Sequence, residues 1–324
     1  MHILVTGGAG YIGSHFVKLL IENGLQVTVV DNLCRGHREA VHPKANFEEV
    51  DILDYYKLLT ALRKYEFDAA VHFAAFAYVG ESVENPSLYY VNNVTGSLNL
   101  IRAVNECGIK NFVFSSTCSV YGDNVEIPIS EKQPTNPINP YAQTKLIIEK
   151  ILADFSTAYG LNYAALRYFN AAGADSKGEL GESHDPEPHL IPLILQTALG
   201  KREKIYVFGD DYPTPDGTCI RDYIHIEDLA DAHLRAVNYL VENKESLIVN
   251  LGTGKGNSVM EVIETARKIT GAEIPTEITK RRAGDPPSLV ADNSLAKEKL
   301  GWVPKHNLSS IIKTAWKWHN NPKY

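Results

Sequence analysis

The sequence predicts an α/β protein: a doubly wound parallel sheet with a smaller, mixed α/β lobe laid over it. Three observations carry this. Short apolar runs alternate with longer segments of helical period over the first ~170 residues, which is the pattern of a parallel sheet covered on both faces. The runs are apolar throughout rather than alternating, as strands buried on both faces must be. Beyond residue 172 the texture changes to Gly/Pro-rich turns between shorter helical segments.

Taken in order, residues 3–6, 27–31, 69–73, 112–115 and 163–167 read as buried strands, and 11–23 and 86–107 as helices between them. Asn139 is a good N-cap and Pro140 a good first residue for a further helix, whose apolar stripe is Leu146, Ile147, Ile148, Ile151 and Leu152. Residues 173–190, rich in Gly, Asp, Glu and Pro, read as a loop. Helical patterns return at 191–199, 228–242 and 259–270. The boundaries that follow are a first domain over 1–172, rejoined by the chain at about 221–251, and a smaller lobe from 173–220 and 252–324.

The 324 residues are 44% apolar and 22% charged, with a formal charge of -7. The basic residues are scattered, so no nucleic-acid or anionic-membrane partner is expected. No uncharged apolar run approaches the ~18 residues that span a bilayer, and the N-terminus lacks the basic start and apolar stretch of a signal peptide. Cys34, Cys107, Cys118 and Cys219 form no CxxC pair, and no Cys/His set has zinc spacing. No metal is therefore expected, and isolated cysteines suit a reducing, cytoplasmic setting.

Thr6-Gly7-Gly8-Ala9-Gly10-Tyr11-Ile12-Gly13 lies between the first strand and the first helix, and fits both GxGxxG and GxxGxxG. A turn there must pass close to a pyrophosphate, which side chains would block. The free N–H groups at the helix start then hold the phosphates, and Gly13 lets helix and strand pack closely. Asp31 ends the next strand 18 residues after Gly13. A carboxylate there accepts from both ribose hydroxyls and repels a 2′-phosphate, so the site favours NAD; Arg35 leaves NADP as the alternative. The first domain is thus a Rossmann-type, NAD-binding one.

Tyr141 and Lys145 are four residues apart at the start of a helix and share one face. A tyrosine serves as acid and base only if its pKa falls from about 10 towards neutrality. Three units cost roughly 4 kcal/mol, and one cation ~6 Å away at an effective dielectric of ~20 supplies about 2–3 kcal/mol. Lys145 and a positively charged nicotinamide together suffice. Ser115-Ser116-Thr117 follows the strand at 112–115, and hydroxyls beyond a strand's carboxyl end reach a ligand in such sheets.

The glycine turn, Asp31, Ser115-Ser116-Thr117 and the YxxxK pair, in this order, resemble the extended short-chain dehydrogenase/reductase superfamily. His72-Phe73-Ala74-Ala75, Val79-Gly80-Glu81-Ser82, Tyr121-Gly122-Asp123, Leu166-Arg167-Tyr168-Phe169-Asn170 and Arg221-Asp222-Tyr223-Ile224-His225 are similar, within it, to the UDP-glucose 4-epimerase family of galactose metabolism. The resemblance runs from Met1 to about Trp302. It implies epimerisation at C4 of a UDP-hexose: oxidation to a 4-keto sugar, rotation, and return of hydride to the opposite face on retained NAD. It assigns Tyr141 as acid/base, Thr117 to the same sugar oxygen, and Lys145 to the nicotinamide ribose and the tyrosine pKa. It assigns Gly7, Gly10, Tyr11, Ile12, Gly13, Asp31, Asn32, Asp51, Ile52, Phe73, Ala74, Ala75, Asn92, Ser115, Tyr141, Lys145 and Tyr168 to the cofactor. Thr117, Tyr141, Asn170, His189, Leu190, Tyr206, Phe208, Arg221, Arg282, Asp285 and Leu289 fall to the UDP-sugar.

Arg221 and Arg282 are credible pyrophosphate clamps on chemical grounds too, because guanidinium binds phosphate through paired donors. His225 and His233 read as structural. The resemblance further implies a homodimer through helices around 86–107 and 141–159. Three departures stand out. Ala77 replaces a lysine common near the cofactor, His189 a common asparagine, and Leu289 takes a size-gate position where tyrosine excludes N-acetylated sugars. UDP-N-acetylhexosamines and UDP-pentoses therefore stay open as substrates. Related dehydratases place Asp-Glu after the threonine and decarboxylases a glutamate at the position of Ser119; here Cys118-Ser119 follow Thr117. A non-catalytic NAD-binding protein would have no need of Tyr141, Lys145 and Thr117 together.

Overall fold

In the computed structural model, which describes residues 1–123, 125–282 and 285–324, β1 (His2–Thr6) runs through a seven-stranded, wholly parallel sheet. On one side lie β2 (Gln26–Asp31) and β3 (Asn46–Glu49). On the other lie β4 (Ala69–His72), β5 (Asn111–Thr117) and β6 (Asn162–Tyr168), with Leu247–Leu251 at the far edge. The chain thus winds outward from β1 first one way and then the other. The crevice beyond the carboxyl ends of β1 and β4 is where such sheets bind ligands.

Side-chain alternation along each strand divides the core in two. Ile3, Val5, Val29 and Val71 face α1 (Tyr11–Glu22), packing with Phe16, Val17 and Leu20. Leu4, Val30, Ala70, Phe112 and Phe114 face the opposite way, onto α2 (Tyr55–Leu62) and later helices. Strand β3 was not foreseen. Asn46-Phe47-Glu48-Glu49 has no apolar run to betray it, as befits an edge strand half open to water.

The helix expected over 86–107 is interrupted. After α3 (Val79–Glu84), α4 (Pro86–Tyr89) widens into a π-helical stretch, Tyr90–Thr95, before α5 (Gly96–Glu106) resumes the ordinary turn. Periodicity alone does not reveal the wider turn. Its effect is to bury Asn93. The Asn93 carboxamide accepts from Phe76 N at 2.9 Å and donates to Phe76 O at 3.0 Å and Thr144 Oγ1 at 3.2 Å. One side chain so fixes the segment after β4 against α6 (Pro140–Tyr159). That helix starts as the sequence requires: Pro140 is its first residue and the Asn139 carboxamide accepts from Ala142 N at 2.9 Å. It ends at Gly160, which is left-handed.

Beyond β6 the chain turns into β7 (Asn170–Ala172), then runs through 173–189 without helix or strand before α7 (Leu190–Ala198) and β8 (Ile205–Phe208). β9 (Ile220–His225) pairs with β7 in a small sheet, and α8 (Ile226–Asn243) then returns to the large one. Leu229, Val237 and Leu240 of α8 complete the core beside α1, and the edge strand Leu247–Leu251 (β10) follows. β11 (Gly256–Ser258) joins β9 antiparallel, ahead of α9 (Val259–Thr270). β12 (Thr276–Thr279) pairs with β8, and β13 (Ser288–Leu289) with β9. α10 (Ser294–Leu300) and α11 (Leu308–Asn320) close the chain. Ile191, Leu195, Val262, Ile263, Ile311 and Ile312 make a separate core for this part. No helix among the described residues is long and apolar enough to cross a membrane.

Candidate active site

Every sequence-predicted cofactor residue outside the glycine turn and α6 stands at or just past a strand's carboxyl end or in the helical stretch beside it. The turn itself separates two kinds of glycine. Gly7 has φ +75°, and a Cβ on it would meet Ala74 N at 2.5 Å. A Cβ on Gly13 would meet Gly7 O at 2.1 Å. The fold alone demands both. Gly10 is different: its backbone is extended, and a Cβ there would touch only Gly7 O, at 3.4 Å. Nothing in the chain requires glycine at that point, which leaves a cradle that a Cβ would fill. No side chain caps α1 and no acid sits in its first turn, so its N-terminus suits an anion.

Asp31 ends β2 with one oxygen accepting from Ala9 N at 3.0 Å and the other from Leu33 N at 2.9 Å. Burial raises its pKa, and each oxygen keeps a further lone pair for a ribose hydroxyl. Asn32 donates to Asp51 at 3.0 Å, joining the ends of β2 and β3. Ile52 packs beside Gly96 on the same rim, and Asn92 lies in the π-helical stretch with its amide on Asn93. Phe73, directly before Ala74 and Ala75, donates its N–H to Thr6 O at 2.9 Å. These groups fit a dinucleotide: a glycine cradle, a free helix start, and a ribose-binding carboxylate.

Ser115, Thr117, Tyr141, Lys145 and Tyr168 come together at the ends of β5 and β6. Lys145, 3% exposed, donates from Nζ to Ser115 O at 2.8 Å and lies 5.9 Å from the Tyr141 ring. Ser115 Oγ donates to the Tyr168 hydroxyl at 3.1 Å. Burial lowers the Lys145 pKa to about 7, with Glu149 pulling the other way. Burial drives the Tyr141 phenol well above its ordinary value, and Tyr168 adds to the rise while Thr117 opposes it. The sequence led us to expect Lys145 to lower the tyrosine pKa. In the protein by itself burial wins, and Tyr168 rather than Lys145 is the next largest influence on the phenol.

The predicted UDP-sugar residues fall into three groups. Asn170 on β7 donates to Asp222 O at 3.2 Å, beside Arg221 on β9. Arg221 is not free: it forms an ion pair with Asp285, and Leu289 lies opposite it in register. Leu289 also packs against the cluster of Cys118, Tyr121 and Phe169, next to Thr117. Tyr206 and Phe208 lie on β8, and the Arg282 guanidinium stacks 3.8 Å from the Phe208 ring centre. His189 and Leu190 stand at the start of α7, where the His189 ring is held by Glu187 and Glu182.

Sequence reasoning missed the groups behind this rim. His72 is buried between Thr6 Oγ1 and Ser97 Oγ, 2.7 Å from each. Glu149, one turn beyond Lys145, accepts from Ser116 Oγ at 2.5 Å and from Arg167 Nε at 3.0 Å and Nη2 at 2.5 Å. Arg167 reaches on to the Tyr121 hydroxyl at 3.0 Å, and Tyr121 to Asn250 at 2.8 Å. The i, i+4 spacing of Lys145 and Glu149 was the only local signal.

The profile of the NAD dependent epimerase/dehydratase family matches residues 3–252. A UDP-glucose 4-epimerase of Halalkalibacterium halodurans is 53% identical over 98% of this chain and 96% of its own. One of Lactobacillus helveticus is 51% identical over 100% and 98%. The crystal structure of UDP-glucose 4-epimerase from Brucella ovis, in complex with NAD, superposes with a TM-score of 0.95 at 53% identity, covering 97% of each chain.

Proposed function

The chain belongs to the NAD dependent epimerase/dehydratase family, and from that premise we propose that it interconverts UDP-glucose and UDP-galactose by inverting C4 of the sugar. The observation that carries this reading is the convergence of Thr117, Tyr141 and Lys145 beside a dinucleotide turn. It occurs in a chain about half identical, end to end, to UDP-glucose 4-epimerases. NAD, when bound, supplies the hydride acceptor that oxidises C4 and the hydride donor that reduces it again.

The chain's residues supply the rest. Tyr141 Oη takes the proton of the sugar 4-hydroxyl during oxidation and gives it back after the 4-keto sugar has turned over. Thr117 Oγ1 holds the same oxygen. Lys145 is fixed by Ser115 O, and its charge joins that of the oxidised cofactor to offset the burial that keeps the phenol protonated. Base strength is thereby tied to the loaded, oxidised state. Arg221 and Arg282 take the diphosphate, which for Arg221 means exchanging Asp285 for phosphate oxygens. Leu289 bounds the sugar side near Thr117, with the N-acetylhexosamines and pentoses as the alternatives its size leaves open.

The test is direct. Purified protein incubated with UDP-galactose, without added NAD, yields UDP-glucose; no product from either UDP-hexose overturns the reading. Tyr141→Phe should lose at least about a hundredfold in turnover while still binding UDP-sugar, and near-normal turnover would remove Tyr141 from its role.

The chain is also read as a homodimer. Val83, Tyr90 and Val91 are large apolar side chains left exposed on and beside α3 and α4, next to α6. A monomeric mass by light scattering at micromolar concentration overturns this. Four unpaired cysteines support a cytoplasmic setting.

A further inference from the structure

The stretch between β7 and α7 carries an acid–imidazole set of which only His189 was assigned to the UDP-sugar. Glu182, His184, Glu187 and His189 each offer one ligand-type atom, and the four atoms lie within 4.8 Å of one another. His189 Nδ1 stands 2.7 Å from Glu182 Oε1 and 3.0 Å from Glu187 Oε1. His184 Nδ1 stands 3.3 Å from Glu182 Oε1 and 3.6 Å from Glu187 Oε2. Both glutamate side chains are only 5% exposed. His184 Nδ1 is itself buried, yet it makes no hydrogen bond, so it faces two carboxylates without a satisfied partner.

We propose that Glu182, His184, Glu187 and His189 form a binding site for one zinc-class divalent cation. Two imidazole nitrogens and two carboxylate oxygens make a mixed donor set suited to zinc, whereas magnesium and calcium favour oxygen alone. Metal–ligand lengths of about 2.0–2.2 Å at the tetrahedral angle separate neighbouring ligand atoms by roughly 3.3–3.6 Å. Around the shared Glu182 Oε1, His184 already has that spacing and His189 reaches it by opening less than an ångström, while Glu187, which meets His184 through Oε2 and His189 through Oε1, reaches it by turning its carboxylate. All four ligands come from one loop, spaced Glu-x-His-x-x-Glu-x-His, which matches no zinc-finger spacing and so gave no signal in the sequence.

Four protein ligands leave no open position, so the cation's role is structural. The loop it closes touches the cofactor-side rim: the His184 ring meets Tyr11 edge-on at 6.3 Å and Tyr78 at 5.7 Å. Its backbone is held by Trp318 Nε1, which donates to Glu182 O at 3.0 Å. A second triad, His225, Glu227 and His306, is already satisfied: the two nitrogens of His225 go to Thr314 Oγ1 and Glu227 N, and His306 Nδ1 to Asp228.

The test uses the whole protein, stripped with chelator, equilibrated with zinc sulfate and freed of excess. Elemental analysis should find about one zinc per chain, with a higher melting temperature on zinc addition but not on magnesium. His184→Gln should weaken uptake at least about tenfold. Less than about a tenth of an equivalent, or equal uptake by His184→Gln, overturns the proposal. Cobalt(II) offers a readout that needs no variant: a tetrahedral site gives intense visible absorption, and a weak six-coordinate spectrum overturns it. Metal content is independent of turnover, so its failure and failure of the epimerase reading remain distinct.

Discussion

Gly10 and Gly13 sit three residues apart in one turn, yet their substitution should have opposite consequences. A methyl on Gly13 collides with Gly7 O, so that variant should not fold. A methyl on Gly10 meets a single atom at 3.4 Å. Gly10→Ala should therefore keep the unfolding free energy of the cofactor-free protein within about 1 kcal/mol and weaken NAD binding at least roughly tenfold. Chemical denaturation and NAD titration check the two halves separately. His72 sets a pH limit of another kind. Burial, with help from Lys145, lowers its pKa from 6.5 to about 3. The unfolded chain takes up this proton first, so the stability it carries is complete above pH 6.5 and is lost as pH falls towards 3. By pH 5 the loss amounts to about 2 kcal/mol. His233, lowered by burial to about 4, acts in the same sense. His72→Gln should be less stable at pH 8, by about 1–3 kcal/mol for its buried bonds, but should show a shallower decline between pH 7 and 5 in urea titrations.

At the scale of elements, the buried pair Glu149–Arg167 ties α6 to β6 and, through Ser116, to β5. Removing one partner leaves the other charged, buried and unpaired. Glu149→Leu or Arg167→Met alone should cost about 3–5 kcal/mol, while the double variant should cost far less than their sum. Additive losses in a urea double-mutant cycle would refute this account of how the Lys145 helix is held. These contacts also show where reading the chain runs out. Asp31, Tyr141, Lys145 and the cap of α6 were legible because their signals are local: a strand end, an i, i+4 pair, an Asn-Pro start. Asn93 was not, because its value depends on a π-helical widening that brings Phe76 and Thr144 within reach. The partners of His72, Thr6 and Ser97, become neighbours only when β4 is laid beside β1 and α5 packs behind. Arg221 was legible as a phosphate ligand but not as the partner of Asp285, since β13 reaches β9 from far along the chain.

Across the whole molecule, a set of polar contacts joins α1 to the chain past β7, and two of them are the shortest. The Tyr11 hydroxyl donates to Gly173 O at 2.6 Å, and Lys18 Nζ to Asp175 at 2.6 Å. The Tyr11 bond starts from the residue directly after Gly10 of the dinucleotide turn. Tyr11→Phe removes it and leaves Gly173 O without its donor. Losing a bond of about 1–1.5 kcal/mol predicts roughly five- to tenfold faster release of NAD, measurable by trapping the freed cofactor with a coupled dehydrogenase. An unchanged release rate would show that this bond does not restrain the cofactor.

The same pair of bonds bears on how such an enzyme lives among others that use NAD. Dehydrogenases that swap cofactor each cycle follow the ratio of oxidised to reduced NAD around them. A chain in which the Tyr11 and Lys18 bonds kept the cofactor in place would exchange it seldom and return every hydride it took. Its flux would then follow how many chains had been made and filled, and stay level while the surrounding redox balance swung.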